Sequence, residues 1–329
     1  MTEAERAVGR AVSDAVPGWF GAEARLESLS APARHSWSHQ FRGVVAAADR
    51  SVEIAVKVPR WDEAPTLEDA LAAGPQADTA REFDELVAVH RAVAEAGDER
   101  LTAVIPVGYL PAANAIVTEV LDAVPLRVLV RRGRVAAETL NAAGRWLRLY
   151  HARIGRVHDV PAPTGDLLAA LADVGPSCPE GLRRLASRAR DAVVRLEGAP
   201  VRVGMLHGDF NLSNVLVTPR GRVASLDTNR AEGPVAADLA RFLTDLRTHK
   251  ERALTLGMRP GRRRVEAWGA AFLAGYGPTG DGALPALLGV ALVERWADLE
   301  DRLGGASAAA GLGLRAVRRL LEREALRIV

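Results

Sequence analysis

Short runs that alternate apolar and polar residues fill the first third of the chain, a pattern typical of strands with one buried face. Residues 24–58 hold the two clearest runs, "FRGVVAAA" and "SVEIAVKV", and "ADR" at 48–50 predicts a hairpin turn between them. "LTAVIPVGYL" and "AIVTEVL", joined by "PAAN", predict two further short strands. The first third of the chain therefore predicts a small antiparallel sheet.

Apolar residues at helical spacing flank this sheet. The opening stretch "TEAERAVGRAVSDAV" has that spacing. Residues 79–97 predict a helix in which Thr79 is the N-cap, Glu82 completes a capping box and Gly97 ends the helix. Between the sheet and this helix, residues 61–78 hold Pro, Gly and acidic residues and predict a loop with one helical turn.

From about residue 125 onward the pattern is mainly helical. Long patterns rich in Ala, Leu and Arg predict helices at 135–153, 179–197, 261–275, 285–303 and 307–326. A strong β signal interrupts them at 201–227, in "VRVGML", "NVLVT" and "RVASLD". A small lobe with several strands, followed by a large helical lobe, predicts a cleft between the lobes, which is a common place for ligands.

Composition excludes several classes of protein. The chain has 329 residues, 48% hydrophobic and 26% charged, as in an ordinary globular protein. Its one cysteine, Cys178, excludes an internal disulfide framework and fits a reducing compartment. The net charge of +2 gives no strong field toward nucleic acid or a membrane surface. Since the sequence shows no targeting leader and no apolar run long enough to cross a bilayer, we expect a cytoplasmic protein.

Lysine is so rare in this chain that each one stands out. Of the 43 basic residues only Lys57 and Lys250 are lysines, and Lys57 lies inside the strand pattern "SVEIAVKV". Alternation places it with Glu53 and Ala55 on the face opposite the branched apolar residues. Lys57 is then either an edge-strand lysine that discourages aggregation or a lysine held on a rigid strand to contact phosphate oxygens. The near-absence of lysine elsewhere favours the second interpretation.

A lysine that binds a ligand needs an anchor for its flexible stem. The helix predicted at 79–97 offers Glu82 and Glu85 near its start. Either carboxylate reaches Lys57 if the helix packs across the strands. Glu82 has an alternative role within its own capping box.

The polar stretch "HGDFNLSN", residues 207–214, leads straight into an apolar run. After Asn214 the pattern predicts a strand, a turn "TPRG" and a second strand "RVASL", which Asp227 follows. A hairpin of this length returns the chain to its starting point, so we expect Asp227 close to Asn214. A carboxylate beside an amide oxygen is a set of hard ligands suited to Mg²⁺ and not to Zn²⁺. Asp209 is then left as the base that accepts or orients a hydroxyl proton. No second His or Cys is placed to make His207 a metal ligand, which favours a structural role.

Each of these polar residues, taken singly, is explained equally well by a strand–turn–strand with polar caps. Taken together, the strand lysine, the helix glutamate, Asp209, Asn214 and Asp227 are the groups that phosphoryl transfer needs, because that reaction depends mainly on positioning and charge neutralisation.

Two motifs resemble those of kinases. "IAVK" resembles the lysine strand of protein kinases, and "HGDFNLSN" resembles H-R-D-x-x-x-x-N. The glycine after the histidine, and "ADLARFL" downstream of Asp227, are more similar to the aminoglycoside phosphotransferase family of small-molecule kinases. "AREF" at 80–83 resembles a helix start of that family and so favours Glu82, and "WLRLYH" resembles a further helix. The resemblance spans roughly residues 25–280.

The resemblance implies a nucleotide site in the first lobe. Lys57 would contact the α- and β-phosphates of ATP, and Glu82 would hold the lysine in place. The hinge backbone at "VTEV" would bind adenine through Thr118 and Val120.

The resemblance also implies where the transfer takes place. Asp209 would be the catalytic base, Asn214 and Asp227 would bind Mg²⁺, and Asp238 would brace the catalytic loop without taking part in the chemistry.

Three features depart from the kinase pattern. Where protein kinases carry Lys two residues after the catalytic Asp, this chain has Asn211, which favours a small-molecule acceptor. Asp227 is followed by "TNR", not Phe-Gly, so a protein-kinase-type activation switch is not expected. The phosphate loop, expected near residues 34–43, has a single glycine. Backbone amides and the Ser36 or Ser38 hydroxyl would therefore have to cover the phosphates.

The sequence thus predicts an α+β, two-lobed protein-kinase-like fold. A small antiparallel-sheet N-lobe (1–117) binds the nucleotide, a hinge (118–124) follows, and a large helical C-lobe (125–329) carries the catalytic loop and the acceptor site. The predicted function is ATP- and Mg²⁺-dependent transfer of the γ-phosphate to a hydroxyl of a small molecule, such as an aminoglycoside, a sugar or another metabolite. We expect no nucleic-acid partner and no stable membrane association.

Two alternatives stay open. "AREF" and "VTEVLDAVPL" also resemble kinases of lipopolysaccharide or polysaccharide sugars. A catalytically silent, nucleotide-binding pseudokinase is the second alternative, because the phosphate loop is poor in glycine.

Overall fold

A computed structural model gives the fold of the chain. The structure describes residues 1–35, 37–60, 66–72, 76–172, 178–228, 231–255, 260–280, 282–304 and 308–328. The chain divides into two compact units. Unit 1 comprises Met1–Asp98 and Thr102–Asp122, and unit 2 comprises Glu99–Leu101 and Ala123–Val329.

Unit 1 is built on a six-stranded antiparallel sheet. The strands follow the order β1-β3-β4-β6-β5, and β2 also pairs with β3. Their bounds are β1 Arg25–Leu29, β2 Ala33–Arg34, β3 Ser38–Ala46, β4 Ser51–Pro59, β5 Pro106–Leu110 and β6 Ala115–Glu119. At the predicted turn between β3 and β4, the Ala47 N–H donates to the Arg50 carbonyl at 2.9 Å. The strands predicted from alternation are therefore confirmed.

Three helices belong to unit 1, namely α1 Glu3–Phe20, α2 Leu67–Ala72 and α3 Ala77–Ala96. The apolar stripe of α1 repeats every four residues, as a helix with one buried face requires. It consists of Ala4, Val8, Val12 and Val16. This stripe shares one apolar core with the inward face of β4, whose members are Val52, Ile54, Val56 and Val58. The predicted loop at 61–78 contains α2 and the start of α3, and its residues 61–65 and 73–75 lie outside the described part of the chain.

Unit 2 is mainly helical. Its helices are α4 Leu126–Arg131, α5 Ala137–Arg153, α6 Thr164–Ala170, α7 Glu180–Val194, α8 Ala236–Thr248, α9 Lys250–Leu254, α10 Arg262–Tyr276, α11 Leu284–Gly304 and α12 Ala308–Ile328. The five long helices predicted from periodicity are confirmed as α5, α7, α10, α11 and α12. The pattern does not predict α8. Among the described residues, no helix combines the length and apolarity needed to span a membrane.

Two small antiparallel sheets complete unit 2. Their orders are β11-β10-β7 and β12-β9-β8. The strands are β7 Val124–Pro125, β8 His158–Pro161, β9 Pro200–Met205, β10 Val215–Val217, β11 Val223–Ser225 and β12 Glu232–Pro234. The three strands predicted within 201–227 are confirmed, but they belong to two different sheets. The hairpin of β10 and β11 is the element that returns the chain from Asn214 to Asp227.

Two glycines allow α5 and α10 to approach closely. A Cβ at Gly275 would lie 1.9 Å from the Asn141 carbonyl oxygen, and a Cβ at Gly144 would lie 2.0 Å from the Phe272 carbonyl oxygen. Both distances are far below van der Waals contact, so any side chain at either position must separate the helices. Because α5 also carries Tyr150, whose ring contacts that of His207, and His151, which bonds Asp238, this crossing helps to position the site described below.

We expect Gly275→Ala to lower the free energy of unfolding by about 3 kcal/mol, because overpacking a tight contact forces backbone shifts. Urea unfolding followed by circular dichroism measures this loss. Gly18→Ala in α1 is the matched control, since a Cβ there meets nothing within 4 Å. It should leave stability unchanged or raise it by up to about 1 kcal/mol. Equal unfolding midpoints for wild type and Gly275→Ala would contradict the close helix crossing.

Candidate functional site

Lys57 lies on an inner strand of the unit 1 sheet. Strand β4 pairs with β3 on one side and β6 on the other, with Lys57 opposite Gln40 and Ile116. The interpretation of Lys57 as an edge-strand lysine is therefore excluded. Its Nζ lies 2.8 Å from the Glu82 Oε1, and the two side chains are 24% and 16% exposed. The lysine is thus held by an ion pair while it keeps some access to solvent.

Glu82 takes part in this ion pair and does not cap its own helix. α3 begins at Ala77, two residues earlier than predicted, and its N-cap residue Gln76 makes no side-chain capping bond. The prediction that Thr79 caps the helix is wrong, because Thr79 lies within the first turn and is buried. With no capping box to complete, the Glu82 carboxylate is available to Lys57. Glu85, the other predicted candidate, is buried one turn further along.

Thr118 and Val120, the residues predicted to contact adenine, lie at the end of β6. Thr118 is partly exposed and pairs with Ala55 of β4. The Val120 N–H donates to the Glu53 carbonyl at 2.8 Å and continues the pairing of β6 with β4. This amide is therefore already bonded, so a ligand contact at Val120 requires its carbonyl, or the amide of a neighbouring residue.

The predicted phosphate loop is a tight β-hairpin. β2 and β3 pair directly, and the His35 N–H donates to the Ser38 carbonyl at 2.8 Å across the tip. Arg60 supports the tip from the end of β4, because its Nη1 donates to the His35 carbonyl at 3.1 Å. Ser38 is buried at the first position of β3, and its Oγ accepts a hydrogen bond from the Gln40 side chain at 3.3 Å. Ser36, the other predicted hydroxyl, lies outside the described residues.

In unit 2 the stretch 207–214 alternates between anchored and accessible side chains. His207, Phe210 and Leu212 are buried, whereas Asp209 and Asn214 are partly exposed. Phe210 enters an aromatic cluster, with ring centroids 5.9 Å from Trp146 and 5.5 Å from Phe242. The buried side chains of His207 and Phe210 lie on either side of Asp209 in the sequence, and they limit the motion of the loop that carries it. We call residues 207–214 the polar loop.

Asp238 at the start of α8 fixes the first residues of the polar loop. Its Oδ2 accepts the His207 N–H at 2.7 Å, and its Oδ1 accepts the Gly208 N–H at 2.9 Å. His151 Nε2 lies 2.9 Å from the same Oδ2, and both side chains are 1% exposed. Burial by itself would raise the pKa of Asp238, but the hydrogen bond and the charge of His151 outweigh it and lower the pKa. The bracing role inferred for Asp238 thus has a direct geometric basis.

Asp209 is held by two amide groups of its own loop. Its Oδ1 accepts a hydrogen bond from Asn211 Nδ2 at 2.7 Å, and its Oδ2 accepts one from Asn214 Nδ2 at 2.6 Å. Burial raises the pKa of Asp209, an effect that the two hydrogen bonds oppose and the neighbouring charge of Asp227 adds to. A carboxylate with a raised pKa in a fixed orientation is suited to accept a proton.

Asn214 and Asp227 are brought together as predicted. The Leu226 N–H donates to the Asn214 carbonyl at 3.0 Å, where β11 ends beside the start of β10. Asp227 follows with a φ of 53°, a left-handed conformation that costs energy for a residue other than glycine. Such strained residues cluster at functional sites. The Asp227 side chain is exposed.

The donor chemistry of this pair fits a hard divalent cation. The Asn214 amide nitrogen is bonded to Asp209, which leaves the amide oxygen as the ligand atom, and Asp227 adds a carboxylate. In the described part of the chain no three His, Cys, Asp or Glu side chains converge as metal ligands. A cation here would therefore keep water or substrate oxygens in its remaining positions, as Mg²⁺ does at phosphate sites.

Many solved structures are similar to this chain, and three of them illustrate the likeness over nearly its whole length. Spectinomycin phosphotransferase, in complex with ADP and spectinomycin, superposes with a TM-score of 0.55 at 11% identity, covering 97% of this chain and 98% of that one. An amicoumacin kinase in complex with AMP-PNP and Ca²⁺ gives 0.56 at 12% identity, with 98% and 94% covered. The macrolide 2'-phosphotransferase type I gives 0.53 at 14% identity, with 98% of both chains covered. The fold is that of the small-molecule phosphotransferases.

The predicted fold class is thereby confirmed, as is the resemblance to the aminoglycoside phosphotransferases at the level of fold. No protein-family model and no curated protein matches the sequence. With identities of 11–14%, the likeness to these structures concerns the phosphotransferase fold alone.

Two residues that support the polar loop in this phosphotransferase fold were not predicted. Asp245 of α8 accepts the Leu212 N–H at 3.0 Å, seven residues after Asp238 on the same helix. Asn211 accepts the Ser213 N–H at 2.8 Å while its amide donates to Asp209. In the sequence, Asn211 differs from the kinase pattern only by standing in the place of a lysine. Asp238 and Asp245 are seven positions apart, a spacing that places two residues on the same face of a helix. This signal is readable only once residues 236–248 are known to be helical.

His207 has the structural role predicted for it, and this role makes stability depend on pH. Its Nε2 lies 2.8 Å from the Ser225 Oγ, and the ring is fully buried. Burial lowers the pKa of His207 to about 4. In the unfolded chain the pKa is about 6.5, so between these values the unfolded state binds more protons.

We therefore expect the contribution of His207 to stability to be complete above pH 6.5 and to be lost as the pH falls toward 4. The loss amounts to roughly 3 kcal/mol, at up to about 1.4 kcal/mol per pH unit. Urea unfolding between pH 7.5 and 4.5 measures it, and His207→Gln should flatten the dependence. His158→Gln, at an exposed position, is the control and should leave the slope as in wild type. A wild-type slope in His207→Gln would contradict this account.

Proposed function

We propose that the protein is an ATP-dependent phosphotransferase that moves the γ-phosphoryl group to a hydroxyl of a small molecule. The observation that carries the proposal is the arrangement around Asp209. A carboxylate with a raised pKa is fixed by two amide donors, on a loop braced by Asp238, beside Asn214 and the strained Asp227. A turn with polar caps needs none of these constraints on a partly exposed carboxylate.

In the proposed step, Asp209 accepts the proton of the acceptor hydroxyl. The hydroxyl oxygen forms a bond to the γ-phosphorus while the bond from that phosphorus to the bridging oxygen of ADP breaks, so that ADP leaves. Asn214 and Asp227 would hold Mg²⁺, which when bound neutralises charge on the phosphate oxygens. The chain's own contribution is to orient the base and to hold its proton.

The Lys57–Glu82 pair supports nucleotide binding in unit 1. We propose that Lys57 contacts the α- and β-phosphates and that Glu82 fixes the lysine stem. Ala55, on the same face of β4, is small and leaves room for the flat adenine ring, and we assign the adenine contact to the backbone at 118–121. Since Val120 N–H is bonded to Glu53, a donor to adenine would come from the next amide, that of Leu121.

The similar structures support a small acceptor. One of them contains ADP with spectinomycin, and another contains AMP-PNP with Ca²⁺. Asn211, in place of the lysine of protein kinases, holds Asp209 and is consistent with a small-molecule acceptor. We propose that such a molecule, and neither nucleic acid nor a membrane-bound partner, is phosphorylated in the cytoplasm.

The test uses γ-labelled ATP, Mg²⁺ and a small-molecule extract. Wild-type protein should transfer label to a low-mass, water-soluble product, which chromatography then isolates for identification. Label in a lipid-extractable or polysaccharide fraction would instead identify a lipopolysaccharide or polysaccharide-sugar kinase. Nucleotide binding without any labelled product or phosphate release would favour the pseudokinase, and absence of nucleotide binding would refute the proposed function.

A further inference from the structure

One face of α8 binds three backbone N–H groups of the polar loop. Asp238 accepts the N–H groups of His207 and Gly208, and Asp245 accepts that of Leu212. Residues at positions i, i+3 and i+7 of a helix share a face, so Arg241 lies on this face between the two aspartates. Asp209 lies in the loop segment that these two anchors bracket. The helix that fixes the loop therefore carries Arg241 on the same face as both of the loop's aspartate supports.

The Arg241 guanidinium is available for a ligand. Its side chain is exposed, and among the described residues no carboxylate lies within salt-bridge distance of it. Its positive charge nevertheless acts on two acidic groups. It lowers the pKa of Asp209 and that of Glu294 of α11, in each case against the larger, raising effect of burial. Arg241 is thus within electrostatic reach of the proposed base without being paired to it.

The polar loop itself lacks a cation. Phosphoryl transfer develops negative charge on the oxygens of the moving group, and a positive side chain there lowers the barrier. The loop position that holds lysine in protein kinases is Asn211, and both functional groups of Asn211 are engaged within the loop. Its amide nitrogen donates to Asp209, and its amide oxygen accepts the N–H groups of Ser213 and Asn214. Beside the Mg²⁺ proposed at Asn214 and Asp227, a cationic side chain at the transferred group would therefore come from an element other than the polar loop.

We infer that Arg241 binds the non-bridging oxygens of the phosphoryl group during its transfer. The inference rests on the proposed phosphotransferase function. As the hydroxyl oxygen bonds to the γ-phosphorus, the bond to ADP breaks and the proton passes to Asp209, while the guanidinium stabilises the charge on the phosphoryl oxygens. Arginine suits this role because its planar fork matches two oxygens of a phosphoryl group.

The experiment compares Arg241→Gln, Arg241→Lys and Glu294→Gln in the full chain. Three quantities are measured for each: the rate of ATP hydrolysis in a single turnover with water as the acceptor, the Kd for a non-hydrolysable ATP analogue, and the thermal unfolding midpoint. Arg241→Gln should lower the rate of hydrolysis roughly 30-fold. This is less than the loss on removing a fully enclosed donor, because the Arg241 side chain is exposed. The Kd should stay within threefold, Arg241→Lys should recover part of the rate, and Glu294→Gln should hydrolyse at the wild-type rate.

The outcomes distinguish a role of Arg241 in phosphoryl transfer from a role in acceptor binding or in helix packing. Wild-type hydrolysis in Arg241→Gln overturns it. If in that case the KM of an identified acceptor rises, Arg241 binds an anionic group of the acceptor instead. Equal losses of rate and of unfolding midpoint in Arg241→Gln and Glu294→Gln would mean that Arg241 only stabilises the packing of α8 on α11. A wild-type protein that binds no nucleotide refutes the proposed function and this inference with it.

Discussion

Asp209→Asn should reduce phosphoryl transfer about 10³-fold and leave the affinity for Mg·ATP within a few-fold of wild type. The exchange keeps the shape of the side chain but removes the group that accepts the hydroxyl proton. One of the two amide contacts, from Asn211 or Asn214, can still be made to the remaining carbonyl oxygen. The polar loop stays anchored through Asp238 and Phe210, so the loss should appear in kcat. The measurement is the rate of label transfer from γ-labelled ATP at saturating nucleotide, together with the Kd of the nucleotide.

Asp159→Asn provides the matched control for this exchange. Asp159 lies on β8 of the same unit and is exposed. That variant should transfer phosphate at the wild-type rate. Because burial raises the pKa of Asp209, wild-type activity should also begin to fall at a higher pH than the usual aspartate pKa of about 3.9 as the solution is acidified. Full activity in Asp209→Asn would remove Asp209 from its role as base.

The parts of the fold that sequence predicts well are those set by local patterns. The alternation in "SVEIAVKV" predicts both the strand β4 and the side on which Lys57 lies, because successive side chains in a strand point to opposite faces. The end of α3 is set by Gly97, which adopts a left-handed conformation as a C-cap glycine does. Its start is not predicted, because Thr79 and Gln76 lie within one turn of each other and helix ends vary over that range.

The support of the site depends on contacts between distant residues, and local patterns carry no information about them. Asp238 bonds the backbone of His207 from 31 positions away, and Arg241 shares a face of α8 with this aspartate. Lys57 and Glu82 are 25 positions apart, and a resemblance to known motifs, not spacing, selects Glu82 over Glu85. The hairpin of β10 and β11 is short enough for its geometry to follow from the sequence, which is why Asn214 and Asp227 were correctly expected to be close.

Lys57→Ala should lower kcat/KM for ATP about 100-fold, since the variant loses the cation proposed to orient the phosphates. Stability should change by less than about 1 kcal/mol, because a partly exposed ion pair contributes little to folding. Glu82→Gln should have a smaller effect, about tenfold, because its amide oxygen still accepts a hydrogen bond from the Nζ while the carboxylate charge is lost. Steady-state kinetics with ATP as the varied substrate, and urea unfolding of the same samples, measure both quantities.

The kinetic constants for ATP and the stability to urea together distinguish a lysine that binds phosphate from one that only stabilises the fold. If Lys57 and Glu82 only join α3 to the sheet, both variants should lose a similar amount of stability and keep the wild-type KM for ATP. If Lys57 binds phosphate, activity falls without a matching loss of stability, and the order of effects is Lys57→Ala, then Glu82→Gln. Glu53→Gln is the control for a charge change on the same face of β4, since its side chain is exposed. It should leave both quantities as in wild type, because Glu53 has no part in the proposed phosphate site.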